Sequence, residues 1–381
     1  MRLALAPAAT VRSLHDRFTS TLHDERVAAR LGLALGVAFT ICALTGAYSH
    51  LLQTEPSWLT LPSRPAGLYR VTQGLHVVTG FATVPLLLAK LWVVAPKLLE
   101  WPPARSIGHA LERLALVPLV GGSVFLLVSG IANTARWYPW GFFFPKAHLW
   151  AAWIMVGALV VHIGAKWTTT RRALATDDVP SRDRADRRAF LSGVAATSGL
   201  LAVATAGGTV SWLSPLSFLA QRRPGVGPQG LAVNKTAASA RVVDAATDPT
   251  WRLVVSGAVT RSLSFSLDDL RALPQREAEL PIACVEGWSA SARWRGVPVR
   301  DLLVLAGARE GAEVTVRSLQ RRGLYGVADL NRHHASDRDT LVALEVNGEP
   351  LHLEHGFPAR LIGPNRPGVA QTKWLAELEV R

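Results

Sequence analysis

PIACVEGWSASARWRGVPVRDLL, residues 281–303, sets a single cysteine, Cys284, ahead of Trp288, Arg293, Trp294 and Arg295, with glycines at 287 and 296. A lone cysteine is most often a small buried hydrophobe. Here the neighbouring residues open a second reading. A thiolate beside cations is stabilised in its charged form, which is the form that binds soft metals. Glycines would let backbone approach a bound group closely. The only other cysteine, Cys42, lies far away in an apolar run, so a disulfide framework is not expected.

Short elements surround this stretch. Residues 252–259 read as a strand, and Ser266–Leu273 as a turn of helix opened by Ser266, with Asp268 and Asp269 in its first turn. Residues 299–306 read as another helix, and 313–318 alternate as a strand should. Residues 341–346, Asn347-Gly348 and 350–353 form a hairpin signature, because that turn pair tolerates positive φ. Residues 374–380 close as a strand. The mixture predicts a β-rich α+β domain over 251–381. Before it, 214–250 is rich in Pro, Gly, Ala and Ser and reads as a surface linker.

The remaining half is of another kind. Apolar residues make up 49% of the 381-residue chain and charged ones only 18%, and nearly all the long apolar runs precede residue 220. Spanning a bilayer takes about 20 apolar residues as a helix. Five segments qualify: Leu31–Leu52, Val71–Pro96, Leu111–Thr134, Ala147–Trp167 and Phe190–Leu213. The net charge of +13 would suit a nucleic-acid binder, but the basic residues gather in alternate loops between these segments. Arg26 and Arg30 precede the first, Lys90, Lys97, Arg105 and Arg113 surround the second loop, and seven more lie between Lys166 and Arg188. That is a positive-inside pattern. It predicts a multi-pass protein of the cytoplasmic membrane with residues 1–30 in the cytoplasm, the chain beyond Leu213 outside, and no nucleic-acid partner. Trp58, Trp137, Tyr138 and Trp140 would form the outer aromatic belt.

Histidine is rare in hydrocarbon because an unpartnered polar ring costs several kcal/mol there. His148 and His162, fourteen residues apart, share a helix face and stand about 21 Å apart along it. That is too far to clamp one iron. His76 falls level with His148, whereas the position fourteen beyond His76 is Lys90. Residues 31–168 resemble bis-histidine cytochrome b membrane domains in helix count and histidine spacing. The resemblance implies haem b held by His76 and His148, and His162 as a ligand further in. The alternative is that these histidines simply bond backbone carbonyls. In 169–213, Arg187-Arg188-Ala189-Phe190-Leu191 ahead of a mild apolar run resembles a twin-arginine export signal.

The C-terminal half resembles the sulfite-oxidase-type molybdopterin oxidoreductases. The carrying motifs, in order, are CVEGWS from Cys284, ARWRGVPVRDLL from Ala292, and NGEPLHLEHGFPARLIGPNRPGVAQTKWLAELEV from Asn347. The resemblance implies that Cys284 gives its thiolate to molybdenum beside the pterin dithiolene. It implies that Arg360 and Lys373 hold the pterin's phosphate region, with Arg293, Arg295, Asn365 and Arg366 assisting, and that Tyr325 faces the metal. The implied activity is two-electron oxo transfer, with electrons exchanged through the membrane half with quinone or another carrier. The substrate would be a small or protein-borne sulfoxide, or a sulfite-like anion in the oxidising direction. A membrane-anchored binding module without catalysis is the rival from another class.

Overall fold

The computed structural model describes residues 18–56, 58–100, 106–175, 181–220, 222, 225–321, 323 and 325–381. Arg105 therefore lies outside the described residues. Five helices are long and apolar enough to cross a membrane: α1 (Glu25–Thr54), α2 (Leu68–Leu98), α3 (Ile107–Thr134), α4 (Phe144–Ala175) and α5 (Ser181–Ala206). Hydroxyls within them bond back along their own helix, as Thr40 does to the Gly36 carbonyl at 2.7 Å and Ser123 to that of Leu119 at 2.6 Å. Apolar surroundings leave such groups few other partners.

The fold divides into two compact units, Met1–Leu44 with His76–Thr205, and Thr45–Leu75 with Ala206–Arg381. In the first, Leu35, Phe39, Leu87, Leu119, Met155 and Ala158 make a shared layer from four helices. The fifth helix differs from the expected span. It begins before the arginine pair, so Arg187 sits within the helix and pairs with Asp24 at 3.3 Å. It stops at Ala206 rather than Leu213. At Gly207 the backbone N–H bonds the Ser217 hydroxyl at 2.5 Å, and a Cβ there would fall 2.6 Å from Ser214 Cα, so only glycine permits the turn.

The second unit holds two five-stranded sheets. The first has β1 (Leu253–Gly257), β2 (Leu263–Phe265), β5 (Val314–Ser318), β6 (Val327–Leu330) and β10 (Leu375–Val380), in the order β2-β1-β10-β5-β6. The second has β3 (Arg276–Ala283), β4 (Ser289–Pro298), β7 (Leu341–Val346) and β8 (Glu349–Pro350) in line, with β9 (Arg360–Ile362) also on β7. Along β7, Val342 and Leu344 enter a core shared with the first sheet and the helix Val299–Ala306, while Leu341 and Ala343 enter a second core with Cys284 and Trp288. Strands buried on both faces read as continuous apolar runs, and LVAL is one. The expected helices hold, Ser266 forming a capping box with Asp269, and Asn347 and Gly348 take the positive φ expected of the hairpin.

The linker reading of 214–250 needs correction. Leu231, Ala237, Val242 and Ala246 are buried, the last three against Trp374. Small residues there signal close packing rather than flexibility.

Candidate functional site

β3 and β4 form a hairpin whose tip is residues 284–288. The Cys284 N–H donates to the Trp288 carbonyl at 2.9 Å, and the Gly287 N–H returns to the Cys284 carbonyl at 3.0 Å. Gly287 closes the turn at φ +89°, a conformation glycine adopts freely. The turn directs the thiol inward, leaving Cys284 only 3% exposed. Burial pushes its pKa up to about 12, helped by the charge of Glu286 and opposed by Arg222. The thiol is therefore neutral in the protein alone, and a bound metal would have to displace the proton.

The expectation for Arg293 and Arg295 is overturned. β4 alternates, with Ala290, Ala292 and Trp294 inward and Ser291, Arg293 and Arg295 outward. The side chains of Arg293 and Arg295 are 59% and 49% exposed, and they pair with Glu277 at 3.5 Å and Glu345 at 3.2 Å. They are neighbours of Cys284 in sequence, pointed away from it by the period-two geometry of a strand. The cation that does reach the turn is Arg222, 3.4 Å from Glu286, whose carboxylate also accepts from Trp288 Nε1 at 3.1 Å.

Two cations expected at the phosphate do lie in the interior. Arg360 donates to the His355 and Gln371 carbonyls, each at 3.1 Å, and stacks 5.2 Å above the Trp294 ring. Lys373 donates to the carbonyls of Lys235 at 2.6 Å and Glu354 at 3.0 Å. Burial lowers Arg360 to about 9, and burial with the nearby Arg360 charge lowers Lys373 to about 7. Neither ion-pairs with a carboxylate among the described residues. Among the described residues, Arg360 Nε and Thr372 Oγ1 are buried with no hydrogen-bond partner, on strips joined by the 2.8 Å bond from Leu361 N to the Thr372 carbonyl. A buried cation is costly unless something pairs it. This donor set fits an anionic guest with several acceptors, as a pterin phosphate is.

Asn365 and Arg366 are not available to that guest. Asn365 accepts from Tyr69 N–H at 2.9 Å and donates to the Tyr48 hydroxyl and Pro62 carbonyl, each at 3.0 Å. Arg366, with 1% of its side chain exposed, pairs with Glu55 at 2.8 Å and donates to the Asp329 and Ala370 carbonyls. Both are committed to the segment that ends α1, crosses the following loop and opens α2. Sequence reading missed Lys235, whose ammonium lies 3.6 Å from where a Gly323 Cβ would stand and whose charge reaches Lys373. Its place in the misread linker concealed it. Tyr325 is 41% exposed, within electrostatic reach of Cys284, and its hydroxyl pKa is raised by burial. Among the described residues no three His, Cys, Asp or Glu side chains could together hold a metal. A metal at Cys284 must bring its other donors with it, which a dithiolene does.

Residues 239–381 match the profile of the oxidoreductase molybdopterin binding domain. This part of the chain is a molybdopterin-binding oxidoreductase domain of sulfite-oxidase type. The chain is 36% identical over 140 residues to a protein of Azospira oryzae assigned as protein-methionine-sulfoxide reductase subunit YedZ1, a match covering 37% of this chain and 51% of that one. It is 34% identical over 161 residues to mouse mitochondrial sulfite oxidase, covering 35% of this chain and 30% of that one. It is 32% identical over 130 residues to the uncharacterised oxidoreductase YuiH of Bacillus subtilis, covering 34% and 64%. The chain thus spans about half the length of the first of these relatives and less of the second.

In the helical unit, the structure brings His76 and His148 together. Their ring centres are 6.3 Å apart. His76 Nδ1 donates to the Cys42 carbonyl at 3.0 Å. The Ser129 hydroxyl is directed at the Leu126 carbonyl and accepts from His148 Nδ1 at 3.1 Å. Protonation at Nδ1 makes Nε2 the lone-pair nitrogen in both rings, the arrangement that orients a metal-binding imidazole. Two imidazoles sharing a metal through bonds of about 2 Å would have centres roughly 6 Å apart. The pair therefore fits a bis-imidazole group. His162 instead lies among Lys90, Lys166 and Glu112, and Lys166 is ion-paired to Glu112.

Proposed function

We propose that the chain is a membrane-anchored oxidoreductase that reduces sulfoxides at Cys284 with electrons drawn from the membrane. The observation that carries this reading is the buried Cys284 thiol within electrostatic reach of Lys373, an interior cation that lies beside Arg360 and forms no ion pair with a carboxylate among the described residues. Cys284 would hold molybdenum, and Arg360, Lys373 and Lys235 the phosphate end of the pterin. Bound there, the cofactor supplies two-electron oxo transfer, so that a sulfoxide with two electrons and two protons gives a sulfide and water. Leu231, Trp288 and Leu280 pack around the cysteine and exclude bulk water. Tyr325, half open at the rim, is placed to contact substrate.

In this reading His76 and His148 would hold haem b, whose one-electron chemistry would suit exchange with quinone or a similar carrier. The basic loops support a topology with residues 1–30 in the cytoplasm and the molybdopterin domain outside, and in this reading Arg187-Arg188 would serve export. The Azospira relative supports a sulfoxide substrate and mouse sulfite oxidase the opposite direction. An assay decides between them: turnover of methionine sulfoxide without sulfite oxidation is expected, and the reverse would exchange the two. Metal analysis of protein purified from membranes should give about one molybdenum per chain, as a single thiolate site requires. Correctly folded protein without molybdenum would sink the catalytic reading and leave a binding module. Replacing His76 with Ala should abolish the α-band of reduced membranes, and an unchanged spectrum would remove that residue from the ligand set.

A further inference from the structure

We propose that Asn365 and Arg366 are positioning residues for Cys284, clamped by Tyr48 at the end of α1, Glu55 in the loop that follows and Tyr69 at the start of α2. The inference rests on Cys284 being the metal thiolate. The loop is fastened to the molybdopterin domain throughout. Ser63 donates to Asp337 at 2.7 Å, Arg64 pairs with Asp337 at 2.9 Å and also with Asp339, and Asn331 donates to the Leu61 carbonyl at 3.2 Å. The Asn365 backbone N–H donates to the Ala66 carbonyl at 2.9 Å. Asn365 itself is held at φ +50°, a conformation that its side-chain bonds to the loop help to hold.

The clamp reaches the cysteine within two residues. Pro367 bridges Ala283, the residue before Cys284, in a parallel contact. A Cβ on Gly368 would come within 2.9 Å of the Ala283 carbonyl oxygen, so this backbone has no slack. Gln371 joins the Arg366 and Pro281 carbonyls through its amide, at 3.3 Å each. From the other side Ala283 packs on Leu52 and Tyr69. The far end of the turn is held likewise, Ser289 N–H donating to the Gly208 carbonyl at 2.8 Å. The backbone of Cys284 is thus located by segments that precede the molybdopterin domain in sequence. A thiolate must sit within about half an ångström of its working place to serve a metal, and this is what fixes it.

The test reads the cysteine directly, in the full chain from a host that lacks the cofactor, with Cys42 replaced by Ser. Glu55→Gln and Arg366→Met should each raise the rate of maleimide labelling of Cys284 about tenfold, comparable to the loss of metal affinity when the groups that hold a ligand in place are removed. The double variant, with no charge stranded, should return most of the way. Val255→Ala, in the opposite core, serves as the control and should not change labelling at equal loss of melting temperature. In loaded protein the same variants should alter the Mo(V) paramagnetic spectrum and lower turnover per molybdenum. Should the charged-pair variants fail to accumulate, Tyr48→Phe takes their place, with about a twofold rise expected from one lost hydrogen bond. Labelling no faster than in the Val255→Ala control would overturn the clamp. A wild-type chain without molybdenum would overturn the cofactor reading instead, and labelling would still judge the clamp.

Discussion

Two arginine-bearing stretches of the molybdopterin domain invite comparison, β4 with Arg293 and Arg295, and residues 360–373 with Arg360, Arg366 and Lys373. The first lies nine residues past the cysteine, the second more than seventy, yet only the second is part of the interior. Period-two alternation sends the β4 arginines to solvent with Trp294 between them facing in. β9 and the following turn are folded into the centre of the domain, so every side chain there meets protein. Nearness along the chain therefore says little about a metal site. Which face of an element is buried says much more.

The comparison breaks or sharpens under graded replacements. Cys284→Ser should abolish molybdenum retention while leaving the domain folded, measured by metal analysis beside circular dichroism; retained metal would detach the site from the hairpin tip. Arg360→Met or Lys373→Met should cost about 2–5 kcal/mol of cofactor affinity, the loss expected when a buried charge contact is truncated, seen as molybdenum lost on gel filtration. A third effect concerns pH. Burial holds the folded pKa of Lys373 at about 7 against its ordinary 10.5. Between those values the unfolded chain binds more protons than the folded one, so stability rises with pH across the window. The cofactor-free protein should thus melt higher at pH 9 than at pH 7, and Lys373→Met should flatten that slope. Smallest of all, Arg293→Ala or Arg295→Ala should change melting by no more than about 0.5 kcal/mol, as exposed pairs do, with molybdenum content unchanged. Loss of the metal in those variants would restore them to the site.

Much of this was legible in the sequence. The five helices follow from hydrophobic length and the hairpin at Asn347-Gly348 from turn chemistry, and the ordered motifs single out Cys284, Arg360 and Lys373, which lie in the interior. What was not legible has physical reasons. β3 and β4 were read only as a motif because their central residues, Ala, Ser and Arg, carry little strand preference. The linker was misread because alanines buried against Trp374 look like the alanines of a flexible segment. The Glu55–Arg366 pair joins residues 311 apart, and no local pattern records such a contact. His76 and His148 were expected at one level and do meet, but their hydrogen-bond partners, Cys42 and Ser129 on other helices, have no local signature.

That 311-residue separation also bears on how the molecule is made. Contacts between distant parts of a chain form late, after loop closure has been opposed by entropy. Residues 45–75 leave the ribosome long before β9, and a domain fastened to them by Glu55, Ser63 and Arg64 cannot complete its interior until both have come together. Placement of the first two helices is thereby a step in the folding of the last domain, and an error in the one would appear as a failure of the other.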